Sequence, residues 1–201
     1  MIEVKIDANS LQDQADLLNL DTPLIFTDGT SFYNKLANDY IVHKQGFFIL
    51  GPSGVGKSHY YRNQPEGERH WIDADRVWRW SNAMPKGAWW EKGYKTIYDV
   101  ETKCDVITQE AKKQGFWLIG SSNRWLVPDA IVIPHWNTHV KLIKKRELNF
   151  DGGARSTPED LAQLKKHRIE ILKWAKAGVP KFDSVEAAVR YLEEQYDKEL
   201  K

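Results

Sequence analysis

Cysteine is almost missing from this chain: Cys104 stands alone among 201 residues. A single thiol excludes an intrachain disulfide framework and any cysteine-built zinc site. An excess of one charge sign is missing as well. Lys and Arg number 29, Asp and Glu 28, and the formal net charge is +1. No global field therefore draws the chain onto nucleic acid or an anionic membrane, and any such contact must be local. Long hydrophobic runs are absent too; a bilayer-spanning helix needs about 20 apolar residues in succession. The first residues, MIEVKIDANS, carry neither the basic nor the apolar region of a secretory signal. These absences predict a reducing, cytoplasmic setting with no membrane contact. The six histidines form no metal-ligand spacing. His135 and His139 are four apart, but Pro134 and Asn137 read as a turn into a helix start, so a structural role is expected and no structural metal.

What is present is ordinary globular composition, 41% apolar and 28% charged. The length predicts one domain with a full core and a small appendage. Residues 1–45 read as an N-terminal extension: IEVKI alternates like a strand, LQDQADLLNL fits a helix, and TDGT is a turn. From Gly46 onward strands and helices alternate. FFIL (47–50), HWID (70–73), FWLIG (116–120), AIVIP (130–134) and the short VPKF read as strands. Between them, residues 95–114 place Ile97, Val100, Cys104, Ile107 and Ala111 on one helical face, which makes Cys104 a core residue. HVKLIKKR (139–146) reads as helical. STPEDL opens a further helix with a Ser/Thr cap and Pro158 in the first turn, ending near Gly178. Asp183 and Glu186 are spaced as a capping box for the last helix. Alternation of this kind predicts an α/β fold of about five parallel strands with helices on both faces. In such a sheet, ligands bind at the carboxyl ends of the strands.

The most informative stretch is GPSGVGKS, residues 51–58. It fits G-x-x-x-x-G-K-[ST] at Gly51, Gly56, Lys57 and Ser58, with an apolar strand before it and a helix expected after it. Glycines let a backbone wrap a phosphate with its N–H groups inward, and the following helix start adds positive potential. Gly51, Ser53, Gly54, Val55, Gly56, Lys57 and Ser58 are the expected nucleotide-binding residues. Lys57 reaches toward the β and γ phosphates, and the Ser58 hydroxyl suits Mg²⁺.

This pattern resembles the Walker A motif of P-loop NTPases, over roughly residues 46–195. The resemblance implies a three-layer sandwich that binds ATP and Mg²⁺. Within the superfamily a kinase is favoured. No N-K-x-D guanine motif is present, and the third strand ends on Gly120-Ser121-Ser122 rather than an acid. The acids follow the second strand instead, as Asp73 and Asp75. A carboxylate there can take a proton from an attacking hydroxyl or hold Mg²⁺ through water. Asp-x-Asp at this place is similar to gluconate and shikimate kinases; Asp73-Ala74-Asp75-Arg76 also holds the D-x-x-R of polynucleotide 5′-hydroxyl kinases. Asp73 is the favoured base because it is nearest the strand end. Asp75 is the second choice, as base or in the magnesium shell, and either acid also suits a helix cap. A lid is expected around 144–157, with Gly152-Gly153 as hinge and Arg146 and Arg155 as the cations over the transferring phosphate; Arg168 is a weaker candidate.

The acceptor is expected on residues 76–95, RVWRWSNAMPKGAWWEKGYK, where cations and rings interleave. Cations neutralise phosphates and rings stack on bases. Arg76, Trp78, Arg79, Trp89 and Trp90 are the candidates, joined by Ser121, Ser122 and Arg124 after the third strand. The same rings also suit packing against the core. Three functions follow. One is a kinase acting on a hydroxyl of a nucleotide or short single-stranded DNA, resembling the small phage-type kinases of DNA 5′ ends or hydroxymethylpyrimidines, which would act in the host cytoplasm. Another is a small-metabolite kinase. The third is an NTP-binding switch or partner-binding module.

Overall fold

The computed structural model describes residues 29–65, 67–148 and 153–200. The expected IEVKI strand, the LQDQADLLNL helix, the first half of the TDGT turn and Gly152 of the expected hinge lie outside the described residues.

Five strands form one parallel sheet: β1 (Phe47–Leu50), β2 (Trp71–Asp73), β3 (Trp117–Gly120), β4 (Ala130–Val132) and β5 (Lys181–Phe182). Their order is β2-β3-β1-β4-β5. Seven helices are described: α1 (Phe32–Ala37), α2 (Lys57–Arg62), α3 (Ala74–Trp80), α4 (Tyr94–Lys113), α5 (Trp136–Glu147), α6 (Pro158–Lys176) and α7 (Val185–Glu199). The α/β alternation expected from the sequence is thus observed. All four β1 residues are buried, as an uninterrupted apolar run in the middle of a parallel sheet requires. β1 pairs with β4 through Ile49↔Ala130 and Leu50↔Ile131, and β4 pairs with β5 through Ile131↔Lys181 and Val132↔Phe182. The chain leaves β1 toward the β2 edge and leaves β4 toward the β5 edge. β1 and β4 therefore flank a topological switch point, the place where open α/β sheets hold ligands beyond their carboxyl ends.

The described residues fall into two compact units. One takes in the residues up to Gly46, then Pro65–Leu118 and Ser122–Leu126; the other is Phe47–Gln64, Ile119–Ser121 and Val127 onward. In the first, α1 is capped by Ser31, whose hydroxyl accepts from the Asn34 N–H, and it buries Phe32 and Leu36. The sequence pattern does not mark this helix. The Gly115 N–H lies in the turn that ends α4, and its carbonyl accepts from the His43 N–H at 2.9 Å. A Cβ at Gly115 would sit 2.0 Å from the His43 carbonyl oxygen, so the position tolerates only glycine.

α4 differs from a simple one-faced helix. Cys104 is buried, as expected, and burial pushes its thiol well above its ordinary range. Thr102, Asp105 and Thr108 are buried on the same helix. The threonines are satisfied locally, donating to the Tyr98 and Cys104 carbonyls at 2.7 Å. In the second unit, α6 starts as expected, with Thr157 as cap accepting from the Asp160 N–H and Pro158 next. The cap of α7 is Ser184, which accepts from the Ala187 N–H, and not the expected Asp183. A hydroxyl one residue nearer the first turn fills the capping position, and Asp183 lies 3.7 Å from Lys181.

Candidate functional site

The second unit carries the glycine-rich loop. Gly54 and Gly56 adopt φ of +86° and +100°, the left-handed region where a Cβ is costly. Gly51 is closed in: a Cβ there would lie 3.1 Å from Val55 Cγ2 and 3.3 Å from the Val132 Cβ and carbonyl oxygen. The Gly51 N–H donates to the Gly120 carbonyl at 3.0 Å. Lys57 is buried and folds back over the loop, its ammonium donating to the Gly51 and Pro52 carbonyls at 2.7 and 2.8 Å. Ser58 is exposed beside it. α2 is only six residues long, so its dipole adds little. The formal charge within residues 51–58 is that of the buried Lys57 ammonium.

Two struts from the elements after β4 hold this loop. His139 on α5 is fully buried, with Nε2 2.8 Å from the Ser53 carbonyl oxygen. Its Nδ1 lies 2.7 Å from an NH1 of Arg168 on α6, whose other terminal nitrogen donates to the Pro134 carbonyl at 2.8 Å. Burial, with Arg168, Lys57 and Arg146 nearby, lowers the His139 pKa to about 4. The imidazole is therefore neutral at neutral pH. Arg146, at the end of α5, is the second strut. It donates to the Ser53 hydroxyl at 3.2 Å and to the Ala154 carbonyl. Its Nε is buried with no partner among the described residues. Burial lowers the Arg146 pKa, though a guanidinium remains charged at neutral pH. Of the expected lid residues, then, Arg146 lies against the loop. Arg155 is exposed, and its backbone N–H donates to Asp160 at 2.7 Å. Arg168 is a buried support for His139 rather than a lid cation. His139 has the structural role expected of it, and one that bears on the loop.

The first unit carries the acids. Asp73 ends β2 and is the N-cap of α3, its carboxylate accepting from the Asp75 N–H at 3.1 Å. Asp75, half-buried, stands in the first turn. Arg76, also near the helix start, is exposed and its guanidinium stacks over the Trp80 ring at 4.0 Å. Trp78 corrects the expected acceptor set. It is fully buried, and its indole N–H donates to Thr108 at 3.0 Å. A ring so enclosed packs the core and cannot stack on an incoming base. Trp89 is buried too, edge-on to Trp90 with centroids 5.8 Å apart, while Trp90 is 45% exposed. Arg79 is exposed.

Beyond β3, Ser121 is half-buried and Ser122 buried. Arg124 is tied to its own surroundings: it donates to the Tyr94 hydroxyl at 2.5 Å, stacks over Tyr98 at 4.8 Å and pairs with Glu101 at 3.5 Å. Sequence reasoning missed the residue that shapes this turn. Asp105 is fully buried on α4, and one carboxylate oxygen accepts the backbone N–H groups of Arg124, Trp125 and Leu126 at 2.9, 2.8 and 3.1 Å. Its other oxygen has no partner among the described residues. Burial raises its pKa to about 7 against the pull of those N–H groups. The available signal was an acid set between Cys104 and the Val106-Ile107 pair of α4. Compared with protein-family models, with curated proteins and with solved structures, the chain matches none.

Proposed function

We propose that this chain is an ATP-dependent phosphotransferase of P-loop type, a three-layer sandwich that moves the γ-phosphate to a hydroxyl of a nucleotide or nucleic acid. The observation that carries the reading is the loop 51–58, where left-handed Gly54 and Gly56 and the buried ammonium of Lys57 coincide with a Walker A pattern. Its donor set suits a polyanion: Lys57, the Ser58 hydroxyl, loop N–H groups and, beside them, Arg146. In the reaction, Lys57 exchanges its carbonyl partners for phosphate oxygens. Ser58, with Asp75 as a further candidate, would hold Mg²⁺, which when bound supplies charge neutralisation at the β and γ phosphates. Asp73 takes the proton of the acceptor hydroxyl as its oxygen bonds to the γ phosphorus. The bond to the β-γ bridging oxygen breaks and ADP departs. Arg146 and Arg155 balance the charge on the transferring group.

One observation favours a second reading, a small-metabolite kinase. Trp78 and Trp89 are buried, so the aromatic segment offers less stacking surface than its composition suggests. The test is γ-phosphate transfer from labelled ATP with Mg²⁺ to nucleosides, nucleotides, 5′-hydroxyl oligonucleotides, hydroxymethylpyrimidine DNA, sugars and hydroxy acids. Label in a nucleotide or DNA supports the first reading, and label only in a metabolite the second. In both cases Lys57→Ala abolishes transfer. ATP hydrolysis with no labelled acceptor would point to a switch.

A further inference from the structure

The His139 contact does more than fill the core. An arginine guanidinium only donates. Arg168, 2.7 Å from Nδ1, therefore makes that nitrogen an acceptor, and the single imidazole proton sits on Nε2, facing the Ser53 carbonyl at 2.8 Å. A trans peptide is planar, with its C=O and N–H pointing in opposite directions. A Ser53 carbonyl aimed at α5 thus sends the Gly54 N–H away from α5. The α5 side is also full: a Cβ at Gly54 would lie 2.7 Å from Ile143 Cγ1. Glycine is needed here for space and for φ +86°, yet glycine also makes rotation of the adjoining peptide easy. A rotated peptide would offer a carbonyl oxygen where an anion needs an N–H. Something outside the loop must select the orientation.

We propose that His139 is a positioning residue: its Nε2–H fixes the Ser53–Gly54 peptide so that the Gly54 N–H serves the bound phosphate, and Arg168 locks the tautomer that does this. The inference rests on the nucleotide reading of the loop. Neither residue falls within the glycine-rich motif, and neither touches the reacting atoms.

Calorimetric binding of Mg²⁺ and a non-hydrolysable ATP analogue tests it in the full chain. His139→Leu removes the donor, Arg168→Met removes the lock, and His139→Gln restores an N–H at the Nε2 position. The first two should bind the analogue about tenfold or more weakly, as the loss of one aimed hydrogen bond implies. His139→Gln should bind like the wild type. Nitrogen-15 spectra of the unsubstituted protein, which need no variant to fold, should show His139 as the neutral Nε2–H tautomer at neutral pH. A His139 protonated on Nδ1 overturns the proposal. So does undiminished binding by both His139→Leu and Arg168→Met. If the wild-type chain binds no nucleoside triphosphate analogue, the nucleotide reading itself falls and takes this inference with it.

Discussion

Arg146 reaches across from the end of α5 to the hydroxyl of Ser53 in the glycine-rich loop, at 3.2 Å, while its other terminal nitrogen holds the Ala154 carbonyl. One planar fork thus joins the loop to the chain segment that follows α5. Arg146→Lys keeps the charge but loses the fork. Both Arg146→Lys and Arg146→Ala should lower phosphoryl-transfer turnover by about a hundredfold or more, the scale for removing one preorganised donor. Steady-state kinetics with saturating MgATP reads this directly. Near-normal turnover in Arg146→Lys would remove the guanidinium from the transfer step.

Asp73 has two roles to separate, because it caps α3 through the Asp75 N–H. Asparagine caps about as well as aspartate but cannot take a proton. Asp73→Asn should therefore keep the melting temperature and MgATP affinity and lose turnover. Asp73→Ala should lose turnover and also about 1 kcal/mol of stability. If Asp73→Asn turns over normally, Asp73 is a cap only, and the base must be sought at Asp75.

The α/β alternation, the central β1 and the glycine-rich turn were legible because each rests on local chemistry: apolar runs, glycine spacing, a Thr157-Pro158 helix start. The struts were not. Ser53, His139 and Arg168 are joined through contacts 86 and 29 residues apart in sequence, and no periodicity encodes such a meeting. Asp105 was hidden for a related reason. Helical spacing marks it as one turn position among many, and only the three N–H groups arriving from residues 124–126 explain a buried acid. Trp78 misled in the other direction. Arg76 and Arg79 lie close to it in sequence, but in space its indole reaches Thr108.

The two tryptophans should consequently separate by assay. Trp78→Ala opens a cavity in the core and should cost about 3–5 kcal/mol in denaturant unfolding. Trp90, 45% exposed, keeps ring surface open to solvent. Trp90→Ala should leave stability within about 1 kcal/mol and raise the KM of a nucleic-acid acceptor, with MgATP affinity unchanged. An unchanged acceptor KM would remove the stacking role and favour the metabolite reading.

Asp105 gives the pH prediction. Its carboxyl titrates near 3.8 when exposed and near 7 when folded, because burial disfavours the charged form. Between those values the native state holds a proton that the unfolded state has released. The contribution of this group to stability is therefore full below the lower value, falls as pH rises toward the upper one, and is flat beyond it. The slope is at most about 1.4 kcal/mol per pH unit. The other titratable groups acting on Asp105 include Arg124, whose charge is constant over this range. Asp105→Asn accepts the same three N–H groups without titrating. Urea unfolding at pH 5 and pH 8 should show the wild type losing stability relative to Asp105→Asn as pH rises. A difference that does not change with pH would mean that Asp105 is ionised throughout and that its three N–H partners, not burial, set its charge.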